Sequence, residues 1–214
     1  MYPAGNLFIP TSHAQLEAII KEPRDGPAKG VALVLHPHPL GGGTMHNKVV
    51  FRAASALNDA GLLTLRINFR GVGQSSGTHD FGIGELEDAR AGLDYLAQQY
   101  PDQQIAVCGF SFGARMGMEV GLEDERVKLL ISIGTPIDKY DFGFLEQCRK
   151  PLLLIHGERD EFGNVNQLRK LIDKVAQNCP VQLVVVPNAD HFFKGSLDQV
   201  KQAISEWITS QLNT

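Results

Sequence analysis

The chain has 214 residues, 43% of them hydrophobic and 21% charged, with a formal net charge of -4. This length and composition predict one packed globular domain over 1–214 and exclude a disordered chain. The acidic balance excludes a general electrostatic binder of nucleic acid or anionic membrane, and no apolar run approaches the roughly 20 residues that span a bilayer.

Residues 7–10 and 14–21 predict two opening strands, and the Pro- and Gly-rich 23–30 a loop. Residues 31–36 are a continuous apolar run, the pattern of a strand buried on both faces. Residues 44–60 predict a helix closed by Gly61. Then follow a strand at 62–69, a helix at 84–99, a strand at 105–109 and a helix at 111–121. Strands at 129–133 and 152–156 precede a helix at 165–177, a strand at 182–186 and a helix at 197–212. This alternation predicts an α/β fold: a doubly wound, mostly parallel sheet of about eight strands with helices on both faces. Between Ile133 and Leu152 there is room for a loop and at most a short helix, so no lid domain is expected.

Ligands of open α/β sheets bind beyond the carboxyl ends of the strands, so the segments that follow the apolar runs carry the functional candidates. Gly109-Phe110-Ser111-Phe112-Gly113 lies directly between a strand and a helix. A nucleophilic serine needs a tight, strained turn there, and glycines two before and two after remove the side chains that would clash. Gly73-Gln74-Ser75-Ser76-Gly77 matches the same G-x-S-x-G pattern, but no helix opens at Ser75, so a Gly/Ser-rich turn is expected. His191 follows the last strand and is the expected base; it would take the Ser111 proton and return it to the leaving group.

The stretch Val107-Cys-Gly-Phe-Ser-Phe-Gly-Ala114 resembles the nucleophile elbow of the α/β-hydrolase superfamily. The stretches 36–48, starting His36-Pro-His-Pro, and 68–75, starting Asn68-Phe-Arg-Gly, resemble a group of small, lidless bacterial serine esterases related to dienelactone hydrolases. The resemblance covers essentially the whole chain. It implies a serine hydrolase of carboxylesterase type, acting through an acyl-serine intermediate on a small-molecule ester, with a triad in the order Ser, acid, His. Asp160, after the His156-Gly157 step, matches the acid; Glu158, Glu161 and Asp190 are its rivals. Oxyanion donors would be the backbone N–H of Phe112 and that of either His38 or Leu40, since Pro39 between them has none. Acyl thioesters and dienelactone-type lactones use the same machinery, and a catalytically idle binding module is the alternative from another class.

No cofactor or metal is expected. His36 and His38 have no carboxylate or cysteine close in sequence to complete a metal site. Gly71-Val72-Gly73 is not a dinucleotide fingerprint, because the third glycine, Gly77, falls one position late and no helix opens there. Arg70 is expected to tie its loop down by a salt bridge, and His156 to buttress its strand end. Of Phe112, Phe142, Phe144, Phe162, Phe192 and Phe193, most should pack as core and a minority should wall an apolar acyl site. Cys108, Cys148 and Cys179 are a sparse, odd set that fits a reducing compartment, and the first residues lack a secretion signal, so a cytoplasmic location is expected.

Overall fold

A computed structural model describes residues 5–11 and 15–212. Its strands are β1 (Leu7–Pro10), β2 (Gln15–Lys21), β3 (Val31–Leu35), β4 (Leu63–Ile67), β5 (Ile105–Phe110), β6 (Val127–Ile133), β7 (Leu152–Gly157) and β8 (Val181–Val186). Its α-helices are α1 (Lys48–Asp59), α2 (Ile83–Gln99), α3 (Phe112–Glu123), α4 (Val165–Val175) and α5 (Leu197–Leu212). Ala14, the expected start of the second strand, lies outside the described residues.

The eight strands form one sheet in the order β1-β2-β4-β3-β5-β6-β7-β8. β1 and β2 pair antiparallel, as do β2 and β4; from β4 to β8 every pairing is parallel. Alternate residues of each central strand enter different cores. Val31, Leu33 and Leu35 of β3 join Leu93 of α2, Val120 of α3 and Leu168 of α4 on one face. Ala32 and Val34 join Val50 and Leu57 of α1 and Ile204 of α5 on the other. The unbroken apolar runs of β3 and β5 follow from this double burial.

Helix ends follow local chemistry. Helix α1 begins at Lys48, four residues later than predicted, because the Asn47 side chain accepts the Val49 N–H at 2.9 Å and caps it there. Gly61 closes it with φ +99, where Leu62 N–H reaches Leu57 O at 2.9 Å and Gly61 N–H reaches Asn58 O at 3.0 Å. Strand β6 starts earlier than predicted because its second residue, Lys128, faces solvent and interrupts the apolar pattern.

The topology fixes where a site can form. The chain leaves β3 for β4 on one side, then returns through α2 to β5 on the other. This reversal opens a crevice beyond the carboxyl ends of β3 and β5. The crossover from β6 to β7 contains only a five-residue 3-10 helix, Gly143–Gln147, and among the described residues no lid covers the crevice.

Candidate active site

Ser111 sits between β5 and α3 with φ 57 and ψ -119, a conformation sparsely populated by residues with a side chain. Two close approaches hold it there. A Cβ at Gly109 would stand 2.2 Å from Gly113 O, and one at Gly113 would stand 2.5 Å from His36 O. Only glycine allows strand, turn and helix to meet so tightly. The turn is pinned by Ser111 N–H to Ile133 O at 2.9 Å.

The Ser111 Oγ is 2.8 Å from His191 Nε2. His191 Nδ1 is 2.9 Å and 2.8 Å from the two oxygens of Asp160. An ionised carboxylate only accepts, so Nδ1 carries the proton and Nε2 is left as the acceptor facing Ser111. The Phe162 N–H donates to Asp160 Oδ1 at 2.9 Å and holds the carboxylate in place. Both Asp160 and His191 are buried. The rival acids are committed elsewhere: Glu158 accepts the Asn188 N–H, Glu161 the His191 backbone N–H and Asp190 the Lys194 N–H. His156 closes the loop that carries Asp160, its Nε2 lying 2.7 Å from Gly163 O.

Ser75, the second motif match, is part of the scaffold. Its hydroxyl donates to Asn68 O at 2.7 Å and accepts the Glu17 N–H at 2.9 Å. Arg70 pairs with buried Asp88 at 2.8 Å and ties the same loop to α2.

The loop after β3 separates His38 from Leu40. The Leu40 N–H already donates to His38 Nδ1 at 3.2 Å, capping a 3-10 turn at Pro39–Gly41. The His38 N–H has no hydrogen-bond partner among the described residues, and neither has that of Phe112. The direction of the His38 N–H is set by His36. The Pro37 carbonyl is 2.6 Å from His36 Nδ1, and the His36 Nε2 accepts the Phe69 N–H at 3.0 Å. A trans peptide turns its C=O and N–H opposite ways, so a Pro37 carbonyl drawn inward aims the His38 N–H outward. Both His36 nitrogens are thereby used by the backbone, which leaves none for a metal.

Burial holds His36 down at about 4, from an ordinary 6.5. The folded state therefore requires the neutral ring. Stability from this group is complete above pH 6.5 and is lost as pH falls toward 4. Its loss over that window should reach about 3 kcal/mol. Urea midpoints measured across it should fall steeply for the wild type. The His36→Asn protein should start lower and fall less; an unchanged slope would remove His36 as the source.

A cavity of about 430 Å³ opens over Ser111 and His191. Phe112, Tyr140, Phe162 and Phe192 wall it, residues 41–43 and Asn47 form its other side, and Lys139 stands at its edge. Phe162 packs 4.6 Å from the His191 ring and Phe192 5.2 Å from it. Phe142 and Phe193 are core, and Phe144 is half-buried against it. Tyr140 and Lys139 carried no motif in the sequence; they reach the cavity because the β6–β7 crossover folds back over the sheet end.

Residues 30–210 match the family model described as an alpha/beta hydrolase domain. An alpha-beta serine hydrolase homologue from Coxiella burnetii is 36% identical, with 96% of this chain and 99% of the other covered and a TM-score of 0.88. An α/β serine hydrolase without a lid from Xanthomonas campestris is 29% identical, with 100% and 98% covered and a TM-score of 0.88. An uncharacterized protein of Rickettsia prowazekii is 38% identical over an alignment of 195 residues that covers 87% of this chain and 82% of that one. With a matching sheet, a serine at the strand–helix turn and the family model spanning most of its length, this chain belongs to the α/β-hydrolase family.

Proposed function

We propose that the protein is a cytoplasmic serine esterase that cleaves short-chain carboxylic esters through an acyl-Ser111 intermediate. The observation that carries this reading is the unbroken run of hydrogen bonds from Asp160 through His191 to Ser111, ending at the cavity floor. His191 Nε2 takes the Ser111 proton as Oγ attacks the ester carbonyl. Asp160 holds the ring and stabilises its charged form. The oxyanion lies against the N–H groups of Phe112 and His38, at the positive end of α3. His191 then protonates the departing alcohol, and a water activated by the same nitrogen releases the acid. Three cysteines without a disulfide support a reducing location, and among the described residues no helix is long and apolar enough to cross a membrane.

The cavity size and the absence of a lid set the expected chain length. About 430 Å³ is near the lower end for ligand pockets. Acyl chains beyond its reach leave methylenes in water, and each one forgoes about 0.8 kcal/mol. Across a p-nitrophenyl ester series, kcat/KM should peak at about two to six acyl carbons, with no jump at the micelle threshold. A maximum at about twelve carbons or more would contradict the short-chain reading. The matching thioester series shows whether the leaving atom matters.

A further inference from the structure

One side chain of the cavity is not explained by ester hydrolysis itself. Lys139 lines the cavity together with four aromatic side chains, three glycines, Pro37, His38 and Asn47. It stands on a braced turn: Lys139 N–H and Tyr140 N–H both reach Pro136 O, at 3.0 and 3.1 Å, and Asp138 N–H reaches Phe162 O at 3.2 Å. The Asp138 carboxylate accepts the Asn164 N–H at 3.0 Å and ties the turn to the loop that carries Asp160. The Lys139 ammonium lies 5.8 Å from the centre of the Phe162 ring, the ring that packs against His191. It is thus two ring contacts from the catalytic imidazole.

Among the described residues Lys139 has no acidic partner. Carboxylates on the same turn and on the loop bonded to it accept backbone N–H groups: Asp138 as above, Asp141 with Gly143, and Glu161 with His191. None of the three lines the cavity. Lys139 is exposed to solvent at the cavity, and among the described residues no aspartate or glutamate lines the cavity with it. An exposed ammonium at a cavity lined by aromatic rings attracts a bound anion modestly, and salt screens that attraction.

We propose that the natural substrate is an ester that carries a second, anionic group, carboxylate or phosphate, and that Lys139 selects it. The inference rests on the esterase reading above and adds the class of substrate. The ammonium pairs with the anion while Phe162 and Tyr140 cover the short carbon chain that joins it to the ester.

The test is a ratio of rates. Mono-p-nitrophenyl adipate and p-nitrophenyl hexanoate share acyl length and leaving group and differ in a terminal carboxylate. A second pair, 4-acetoxybenzoate and 4-acetoxytoluene, puts the anion on the alcohol side, and the ω-phosphonate analogue of the adipate separates phosphate from carboxylate. In at least one pair the wild type should favour the anionic member by about fivefold or more in kcat/KM at low salt, and about 0.5 M salt should erode that preference. Lys139→Met should abolish the preference and Lys139→Glu should invert it. The ratio cancels any general loss of activity in these variants. Equal hydrolysis of charged and neutral members in both pairs, or a preference that survives Lys139→Glu, would overturn the proposal. Hydrolysis of no ester at all is a different result, which would overturn the esterase reading and the proposal with it.

Discussion

Replacing Ser111 by alanine should lower kcat on a p-nitrophenyl ester by at least about 10³ while leaving the fold intact. Ser111 is half-buried, and its hydroxyl is hydrogen-bonded to His191. The residual rate would come from the oxyanion donors and the cavity, which the substitution leaves in place. Ser75→Ala should do the reverse. It removes a buried hydroxyl that serves both Asn68 O and the Glu17 N–H. The cost should be about 1–3 kcal/mol of stability, with kcat near that of the wild type. Parallel kinetics and urea denaturation of the two variants check the pair. A Ser75→Ala protein that is stable but inactive would mean that the other G-x-S-x-G carries the nucleophile.

Asp160→Asn should cost about 10² to 10⁴ in kcat without unfolding the protein. The carboxylate accepts from His191 Nδ1 and from the Phe162 N–H. An asparagine that keeps its oxygen on the Phe162 N–H turns its NH₂ toward the ring. The NH₂ then stands where Oδ2 lay 2.8 Å from Nδ1, which favours the tautomer with a lone pair at Nδ1 and a proton at Nε2, where it can no longer take one from Ser111. Circular dichroism separates this from collapse of the loop. Full activity in a folded variant would move the acid to another carboxylate, although Glu158, Glu161 and Asp190 are each held by a backbone N–H.

The sheet was legible because double burial leaves a mark in the sequence. The runs that became β3, β5 and β7 are uninterrupted apolar segments, and their order with the intervening helices is enough for a doubly wound sheet. Helix α1 shows the limit. A turn at 44–47 and a helix there have similar composition, and only the Asn47 cap decides between them. The placement of Ser111 and His191 beyond strand ends was legible, because each follows an apolar run. Which of the His38 and Leu40 N–H groups is left without a partner was not, since it depends on which way one peptide plane faces. That is fixed by His36, a buried side chain whose two contacts, Pro37 O and Phe69 N, lie on separate strand ends. Tyr140 and Lys139 were invisible for a related reason: a loop with no motif reaches the cavity only through its fold.

If Ser111 forms the covalent intermediate, a reagent that acylates or phosphonylates active serines should label it. The direct measurement is a fluorophosphonate reaction followed by peptide mapping in the mass spectrometer. One adduct is expected, on the peptide containing Ser111, absent from Ser111→Ala and strongly slowed in His191→Ala. No adduct on the folded protein, or an adduct on Ser75, would contradict it.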